Sequence, residues 1–426
     1  MQNWPRRFPA ALLALFAAIV TAWSAETTNA PLGSADFHPT LQRSFGWRGD
    51  GSGRFPGATP VTEWSATKNV RWATVVGRSY SCPTVTDKCV LVTSEPNLLI
   101  CLDRADGKVL WRVEMKSADL TDENSRKAAE TYEAPKDGAG LAAATPLTDG
   151  ERVYAVFGNG MIGAIDLNGK RKWTTCIVAD PTTGYGRSAS PILVAGKLIV
   201  HVSNLYAFDP ATGEQLWVNT EAKASYGTPV SLRVGDVDLI VTPNGDVVRA
   251  ADGKSVASEI GRGVHSSPIP CGDGAVCFGN NEVVTLRLNA AMKEQELWNG
   301  TVTGEVFGSP LLHENTLFVT TGTGELFAFN ASGKGEQEPL INGRKIFEHE
   351  NTSGPTAYAS LTLAGKYLFF NSNRGETVVL EATREAKLVR RNKLPSGSGS
   401  SPIFSGGDMF LRDGDKLFCI SATAGR

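Results

Sequence analysis

Short apolar segments alternate with turns rich in Gly, Pro and Asp along almost the whole chain. A Ser, Thr or Cys followed by Pro opens one such segment in each repeat, and in one repeat Leu replaces the Pro. The opening residues are spaced about 46 residues apart on average, at Cys82, Thr145, Ser190, Thr228, Ser267, Ser309, Ser360 and Ser401. Proline is tolerated at the start of a strand because it interrupts no ladder of hydrogen bonds there. The pattern therefore predicts eight copies of one β unit.

Each copy continues with tight turns and further apolar strands. The third strand ends near an Asp, and a Gly-containing turn then leads to a Trp, as between Asp209 and Trp217. Four short antiparallel strands in a unit of about 40–50 residues are typical of a propeller blade. The sequence thus predicts an all-β fold, an eight-bladed β-propeller of four-stranded antiparallel blades. We expect the tryptophans of the outermost strands to dock blade on blade, namely Trp72, Trp111, Trp173, Trp217 and Trp298.

The last copy is incomplete. It ends after Phe418, Cys419 and Ile420 with no outermost strand, whereas an unassigned strand occupies residues 69–73 near the start of the propeller. We expect this N-terminal strand to complete the eighth blade and close the ring, since an open array would expose a blade face. Residues 116–140 interrupt the repeat with charged, helix-tolerant sequence. This insertion is either a solvated excursion beside the ring or an arm that binds a partner.

The N-terminus has the layout of a secretory signal peptide. Arg6 and Arg7 precede an apolar run over residues 10–20, and small residues follow up to Ala25. The run is too short for a transmembrane helix, which needs about 20 residues. We therefore predict a signal peptide at 1–25, an N-terminal extension at 26–46 and the propeller at 47–426, in a periplasmic or secreted protein. The first cysteine is Cys82, so no cysteine stands at the cleavage point to receive a lipid.

Charge and cysteine content narrow the possibilities further. Lys and Arg number 42 and Asp and Glu 44, a net charge of −2, which argues against nucleic acid as a partner because phosphate binding needs a basic surface. The histidines show no metal spacing, so we predict no metal site. Of the seven cysteines, Cys89 and Cys101 flank a predicted hairpin turn. With Leu91 opposite Leu99 they would face each other as a disulfide; two buried free thiols are the alternative.

The chain resembles the PQQ-like (quinoprotein-type) β-propeller repeat family. The resemblance rests on the Ser-Pro strand, the Asp-to-Gly-to-Trp endings and the eight copies, and it covers residues 47–421. The Gly-rich opening that starts at Trp47-Arg48-Gly49, with Trp64-Ser65, is similar to an exported bacterial branch. The family includes quinone-dependent dehydrogenases and the lipoprotein that assists outer-membrane barrel assembly. This chain lacks the anchor cysteine of that lipoprotein.

The resemblance places the start of each innermost strand around a central channel. Three residues before the strand-opening Pro, five of the eight copies carry an aromatic residue or His, and these are Tyr80, Tyr226, His265, Phe307 and Tyr358. Arg187 stands one residue before the corresponding position in the third copy. One interpretation is a ring at the channel mouth that binds a flat or sugar-like ligand, with Arg187 adding a cation. The other is that these side chains pack between the blades and plug the channel.

Two functions follow from these observations. The first is an exported, non-catalytic, monomeric propeller that binds an unknown protein, small-molecule or glycan ligand, with no cofactor and no catalytic residue. The second, implied by the resemblance, is a dehydrogenase that oxidises alcohols or sugars with pyrroloquinoline quinone (PQQ) and Ca²⁺. Such enzymes typically carry two adjacent cysteines beneath the quinone. No two cysteines are adjacent here, and no Trp occupies the ring position. We therefore favour the first function.

Overall fold

The computed structural model describes residues 30–178, 184–347 and 356–422. The predicted signal peptide lies outside these ranges. Eight antiparallel sheets of four strands follow one another along the chain and form an eight-bladed β-propeller, which confirms the predicted fold. Two blades carry one additional parallel strand each. No helix in the described ranges has the length and apolar character needed to cross a bilayer.

The blades are numbered in chain order, and their strands are given from the innermost to the outermost. Blade 1 consists of Thr84–Val85, Cys89–Ser94, Leu98–Asp103 and Val109–Glu114, and blade 2 of Leu147–Thr148, Arg152–Val156, Met161–Asp166 and Arg171–Cys176. Blade 3 consists of Ile192–Val194, Lys197–Val202, Asn204–Phe208 and Gln215–Asn219, and blade 4 of Val230–Val234, Val237–Val241, Val247–Arg249 and Ser255–Ala257. Blade 5 consists of Ile269–Gly272, Ala275–Gly279, Glu282–Leu288 and Glu294–Thr301, and blade 6 of Leu311–His313, Thr316–Thr320, Glu325–Asn330 and Ile341–Lys345. Blade 7 consists of Thr362–Ala364, Tyr367–Asn371, Glu376–Glu381 and Leu388–Lys393, and blade 8 of Ile403–Ser405, Asp408–Asp413, Lys416–Ile420 and Val70–Val75. The two additional strands are Arg54–Phe55 beside blade 7 and Gly335–Glu336 beside blade 5.

The strand Val70–Val75 completes blade 8, as the sequence predicted. It pairs antiparallel with Lys416–Ile420, so that Trp72 lies opposite Cys419. The Asp408 carboxylate of the same blade holds two guanidinium groups, at 2.9 Å from Arg71 and 3.4 Å from Arg104 of blade 1. The ring is therefore closed both by a strand from the other end of the chain and by charge-assisted hydrogen bonds between the last and first blades.

Each of the five tryptophans lies on an outermost strand and contacts the following blade. Its indole N–H donates to a backbone carbonyl of that blade at 2.9–3.2 Å, the acceptors being Arg104, Leu167, Pro210, Ala250 and Ala331. At four of these contacts the ring also covers a turn glycine of positive φ, at Gly107, Gly169, Gly213 and Gly253. Blade 6 has no such Trp, and the guanidinium of Arg344 instead donates to the carbonyls of Glu385 and Ala386 in blade 7.

The hydrophobic core lies between adjacent blades rather than in one central mass. Side chains of the second and third strands face each other across each interface; in one cluster Tyr154 and Ile162 of blade 2 pack with Leu198 and Val200 of blade 3. Because these strands are covered on both faces, their sequences are nearly continuous runs of apolar residues. The centre of the ring is thereby left free for a channel.

The described part of the N-terminal extension packs on one end of the ring. Leu32, Phe37 and Phe45 are buried there, and Phe45 forms a bridge to Thr148 of blade 2. The strand Arg54–Phe55 then pairs with blade 7. This packing could not be predicted from the sequence, because residues 30–46 belong to no repeat.

The insertion contains a 3₁₀ turn at Ser117–Asp119 and an α-helix at Glu123–Thr131. The Asp122 carboxylate caps the helix by accepting the N–H of Ser125. Buried Leu120 and Ala129 belong to the cluster between blades 1 and 2. The segment is therefore docked on the ring rather than extended into solvent.

The register of the first hairpin differs from the prediction. Leu91 pairs with Cys101, and Cys89 pairs with Asp103, because Ser94 is still part of the strand and pairs with Leu98. The loop is thus shorter than the turn that the sequence suggested. Both thiols are buried and free. A Cys89–Cys101 disulfide stays a prediction.

Candidate functional site

The residues that open the innermost strands form a ring of hydrogen bonds around the channel. In each of seven blades the backbone N–H donates to the side-chain oxygen of the equivalent residue in the next blade, at 2.8–3.0 Å. The series runs from Cys82, which donates to Thr145, round to Ser401. Cys82 holds the equivalent position in blade 1, so seven hydroxyls and one thiol stand at the opening positions of the eight blades. Burial raises the pKa of the Cys82 thiol, which keeps it protonated.

A cavity of about 590 Å³ lies within this ring, and all eight blades contribute to its lining. The opening residues line it, and the residues two positions earlier line it beside them, namely Tyr80, Ala143, Ser188, Tyr226, His265, Phe307, Tyr358 and Gly399. Tyr80 and Tyr358 are 47% and 43% exposed, so this second level meets solvent and forms the mouth. The side chains therefore surround the channel without filling it. We call this cavity the cup.

An unbroken series of rings follows half of the rim. The ring centroids are 6.0 Å apart between Tyr185 and Tyr226, 5.1 Å between Tyr226 and His265, and 4.6 Å between His265 and Phe307. Phe307 meets Tyr358 edge-on at 5.1 Å. We call these five residues the aromatic arc. Burial raises the pKa of the Tyr358 hydroxyl, and Tyr80, Tyr185 and Glu305 add to the shift, so Tyr358 is a neutral donor at physiological pH.

The charged groups of the rim are acidic. Glu305 and Asp137 line the cup, and no Lys or Arg is among the described lining residues. A Glu305 carboxylate oxygen lies 3.0 Å from Nε2 of His265. Arg187 does not supply the cation expected at the mouth, because its guanidinium is buried, donates to the carbonyl of Gly158 and lies 4.6 Å from the ring of Tyr132.

Trp47 borders the cup at its other end. The same residue also borders a second cavity of about 300 Å³, which is lined by the N-terminal segment and by residues that follow the strand-opening prolines. Its neighbour Arg48 is fully buried and donates to the carbonyls of Pro310 and Leu361 on blades 6 and 7. Burial lowers the pKa of Arg48 to about 9. The N-terminal segment thus covers the far end of the channel, and the cup opens at the aromatic mouth.

Sequence reasoning located much of this lining but not all of it. The five predicted rim residues lie around one cavity, and whether they bind a ligand stays a prediction. Asp137, Tyr185, Glu305 and Trp47 were missed because none occupies the repeated position. Glu305 was the one with a signal, since it stands two residues before Phe307 in a segment that leads into the channel.

The fold and the ringed channel define a PQQ-like β-propeller. The comparison with family profiles is more specific, since one profile matches residues 61–282, just over half of the chain. The chain belongs to that family, which is described as outer membrane protein assembly factor BamB. Among curated proteins, none matches the sequence.

Solved structures share the fold at low sequence identity. BamB from Moraxella catarrhalis is 12% identical with a TM-score of 0.56, and the match covers 81% of this chain and 95% of that one. A europium-containing methanol dehydrogenase is 14% identical with a TM-score of 0.55, covering 86% and 89%. The quinohemoprotein alcohol dehydrogenase ADHIIG from Pseudomonas putida HK5 is 13% identical with a TM-score of 0.53, covering 87% and 74%. The likeness thus spans both binding and enzymatic propellers and establishes the architecture alone.

The lining does not fit PQQ with Ca²⁺. Calcium takes six to eight oxygen ligands, whereas the described residues contain no group of three or more His, Cys, Asp or Glu placed to hold a metal ion. The quinone is a polycarboxylic acid, and the charged side chains of the described lining are the carboxylates Asp137 and Glu305. An anionic cofactor would therefore meet like charge at the rim and no cationic partner in the lining.

Proposed function

We propose that this protein is an exported, non-catalytic propeller that binds a ligand in the cup. The observation that carries the proposal is the one-ended cavity of about 590 Å³ with exposed aromatic rings at its mouth and an indole at its floor. Cavities of about 300–1,000 Å³ with a few polar groups among aromatic side chains are the usual form of small-molecule sites. The leader-like residues 1–25 support export to the periplasm or the medium.

The half-exposed rings support binding better than a packing role. A side chain that only stabilises the fold buries most of its surface, whereas Tyr358 and Tyr80 keep close to half of theirs in solvent. The hydrogen-bond ring and the tryptophan contacts hold the blades together at other levels. The side chains of the rim can therefore be substituted without separating the blades.

A ligand screen with paired variants tests the proposal. Sugars, planar heteroaromatics and organic amines are screened by thermal shift, and hits are measured by calorimetry on Tyr226→Ala with Tyr358→Ala. Tyr367→Ala is the matched control, because Tyr367 is a half-buried tyrosine of blade 7 outside the cup lining. We expect hits whose binding is lost in the rim variant and kept in the control. A screen without hits, with the rim variant melting far below the control, contradicts the proposal and indicates packing.

A quinone-dependent dehydrogenase is the second candidate, because two of the similar structures are a methanol dehydrogenase and a quinohemoprotein alcohol dehydrogenase. The purified protein is titrated with PQQ and CaCl₂ and assayed for dye-linked oxidation of alcohols and aldoses. We expect no turnover above that of the quinone alone. Turnover that depends on the protein would replace the binding proposal with the enzymatic one.

A further inference from the structure

The described lining of the cup contains two carboxylates, Glu305 and Asp137, and no Lys or Arg. Glu305 is 59% exposed, so one oxygen can accept from His265 while most of the carboxylate faces the mouth. Asp137 is also exposed and is brought to the rim by the loop that follows the helix of the insertion. A bound cation would therefore meet complementary charge at the mouth.

The aromatic arc provides the second half of a cation site. The face of an aromatic ring is the negative end of its quadrupole, so rings that enclose a quaternary ammonium group attract it. Tyr185 and Tyr358 end the arc with 60% and 43% of their surface exposed, and Tyr226, His265 and Phe307 pack on one another between them, with successive centroids no more than 6.0 Å apart. A planar anion would gain stacking from these rings but would be repelled by the carboxylates, whereas a sugar would stack and donate its hydroxyls to the carboxylates as a neutral ligand.

We propose that the ligand of the cup is a small organic cation of the quaternary-ammonium class, held by the aromatic arc with Glu305 and Asp137 as counter-charges. This inference rests on the proposed function, since it names the ligand class of the same site. The methyl groups of such a cation desolvate easily against the rings, and its charge needs no hydrogen-bond partner.

Choline tests the inference because a neutral molecule of the same shape exists. Binding of choline chloride and of 3,3-dimethyl-1-butanol, in which carbon replaces the charged nitrogen, is measured by calorimetry on the full chain. We expect choline to bind at least about tenfold more tightly than the neutral isostere. Glu305→Gln should weaken choline by about three- to tenfold and leave the neutral isostere unchanged. Since Glu305 is exposed, this variant should fold, which its melting temperature checks.

Location is tested with two further variants. Tyr226→Ala should weaken choline by about tenfold, and Tyr367→Ala should leave its affinity unchanged. Equal affinity for choline and its isostere, or choline binding that ignores both Glu305→Gln and Tyr226→Ala, overturns the cation inference. If neutral sugars or planar compounds bind at the rim while choline does not, the inference fails and the proposed function stands. If no compound of any class binds, both fail.

Discussion

Replacing Gly213 with Ala tests the contact by which one blade docks on the next. Gly213 lies in the outer turn of blade 3 with φ of +75°, directly under the indole of Trp173 from blade 2. A Cβ added there would be 2.5 Å from Cδ2 of Trp173. Gly196 in the same blade has φ of +74° and nothing within 4 Å of an added Cβ. The two glycines therefore differ in the indole contact while sharing the same backbone strain.

The two substitutions should differ by about 2 kcal/mol in the free energy of unfolding. A left-handed conformation costs an L-residue about 1–2 kcal/mol, and the lower entropy of the unfolded chain returns about 0.4–1 kcal/mol. Gly196→Ala should thus destabilise by about 1 kcal/mol. At Gly213 the rigid indole must also shift, and overpacking of this kind costs about 1–3 kcal/mol more.

Urea unfolding followed by far-ultraviolet circular dichroism measures the difference. The double variant Gly213→Ala with Trp173→Ala is the decisive control, because it removes the ring that the new methyl group meets. In the Trp173→Ala background, Gly213→Ala should lower the free energy of unfolding by no more than Gly196→Ala does in the native protein. Equal losses for the two single variants, or a Gly213 penalty that persists without Trp173, would refute the docking contact as a steric constraint.

Three further predictions concern the ring, the floor and pH. Thr145→Ser should keep the melting temperature, because Ser retains the hydroxyl that accepts the Cys82 N–H, whereas Thr145→Val should cost about 1–3 kcal/mol in urea unfolding by orphaning that donor. Arg48→Met should cost about 3 kcal/mol in the same assay, because it leaves the buried carbonyls of Pro310 and Leu361 without their donor; no loss would contradict this role. Burial lowers the pKa of His201 to about 4, so between pH 6.5 and 4 the unfolded state binds a proton that the native state does not; stability should fall by about 3 kcal/mol over that range and the fall should disappear in His201→Gln.

The sequence predicted the elements that recur in every blade and missed the contacts made by segments outside the repeat. The eight strand openings, seven of them with Pro, and the endings at Trp111, Trp173 and Trp217 were sufficient for blade number and strand order, because each is fixed by local geometry that recurs. The side chain of the opening residue accepts the backbone N–H of the equivalent residue in the preceding blade. The two residues are about 46 positions apart on average, so this contact cannot be recognised within one copy.

The site depends more on segments without a pattern. Trp47 and Arg48 reach the channel from an N-terminal stretch that shares no period with the blades, and Asp137 reaches it from the insertion. The burial of Arg187 was equally hidden, because its acceptor Gly158 and the Tyr132 ring beneath it come from another blade and from the insertion. Such contacts follow from tertiary packing and not from the spacing of residues.

The arrangement of the channel separates stability from recognition. The ring of hydroxyls and the buried Arg48 satisfy backbone groups deep in the channel, where an unpaired donor or acceptor would cost about 1–3 kcal/mol. At the mouth, Tyr80 and Tyr358 are close to half exposed and Glu305 is more so, and a hydrogen bond such as that between His265 and Glu305 contributes about 1 kcal/mol. Substitutions at the rim should therefore change what is bound far more than whether the propeller folds. That difference is what allows the binding proposal to be tested with folded variants.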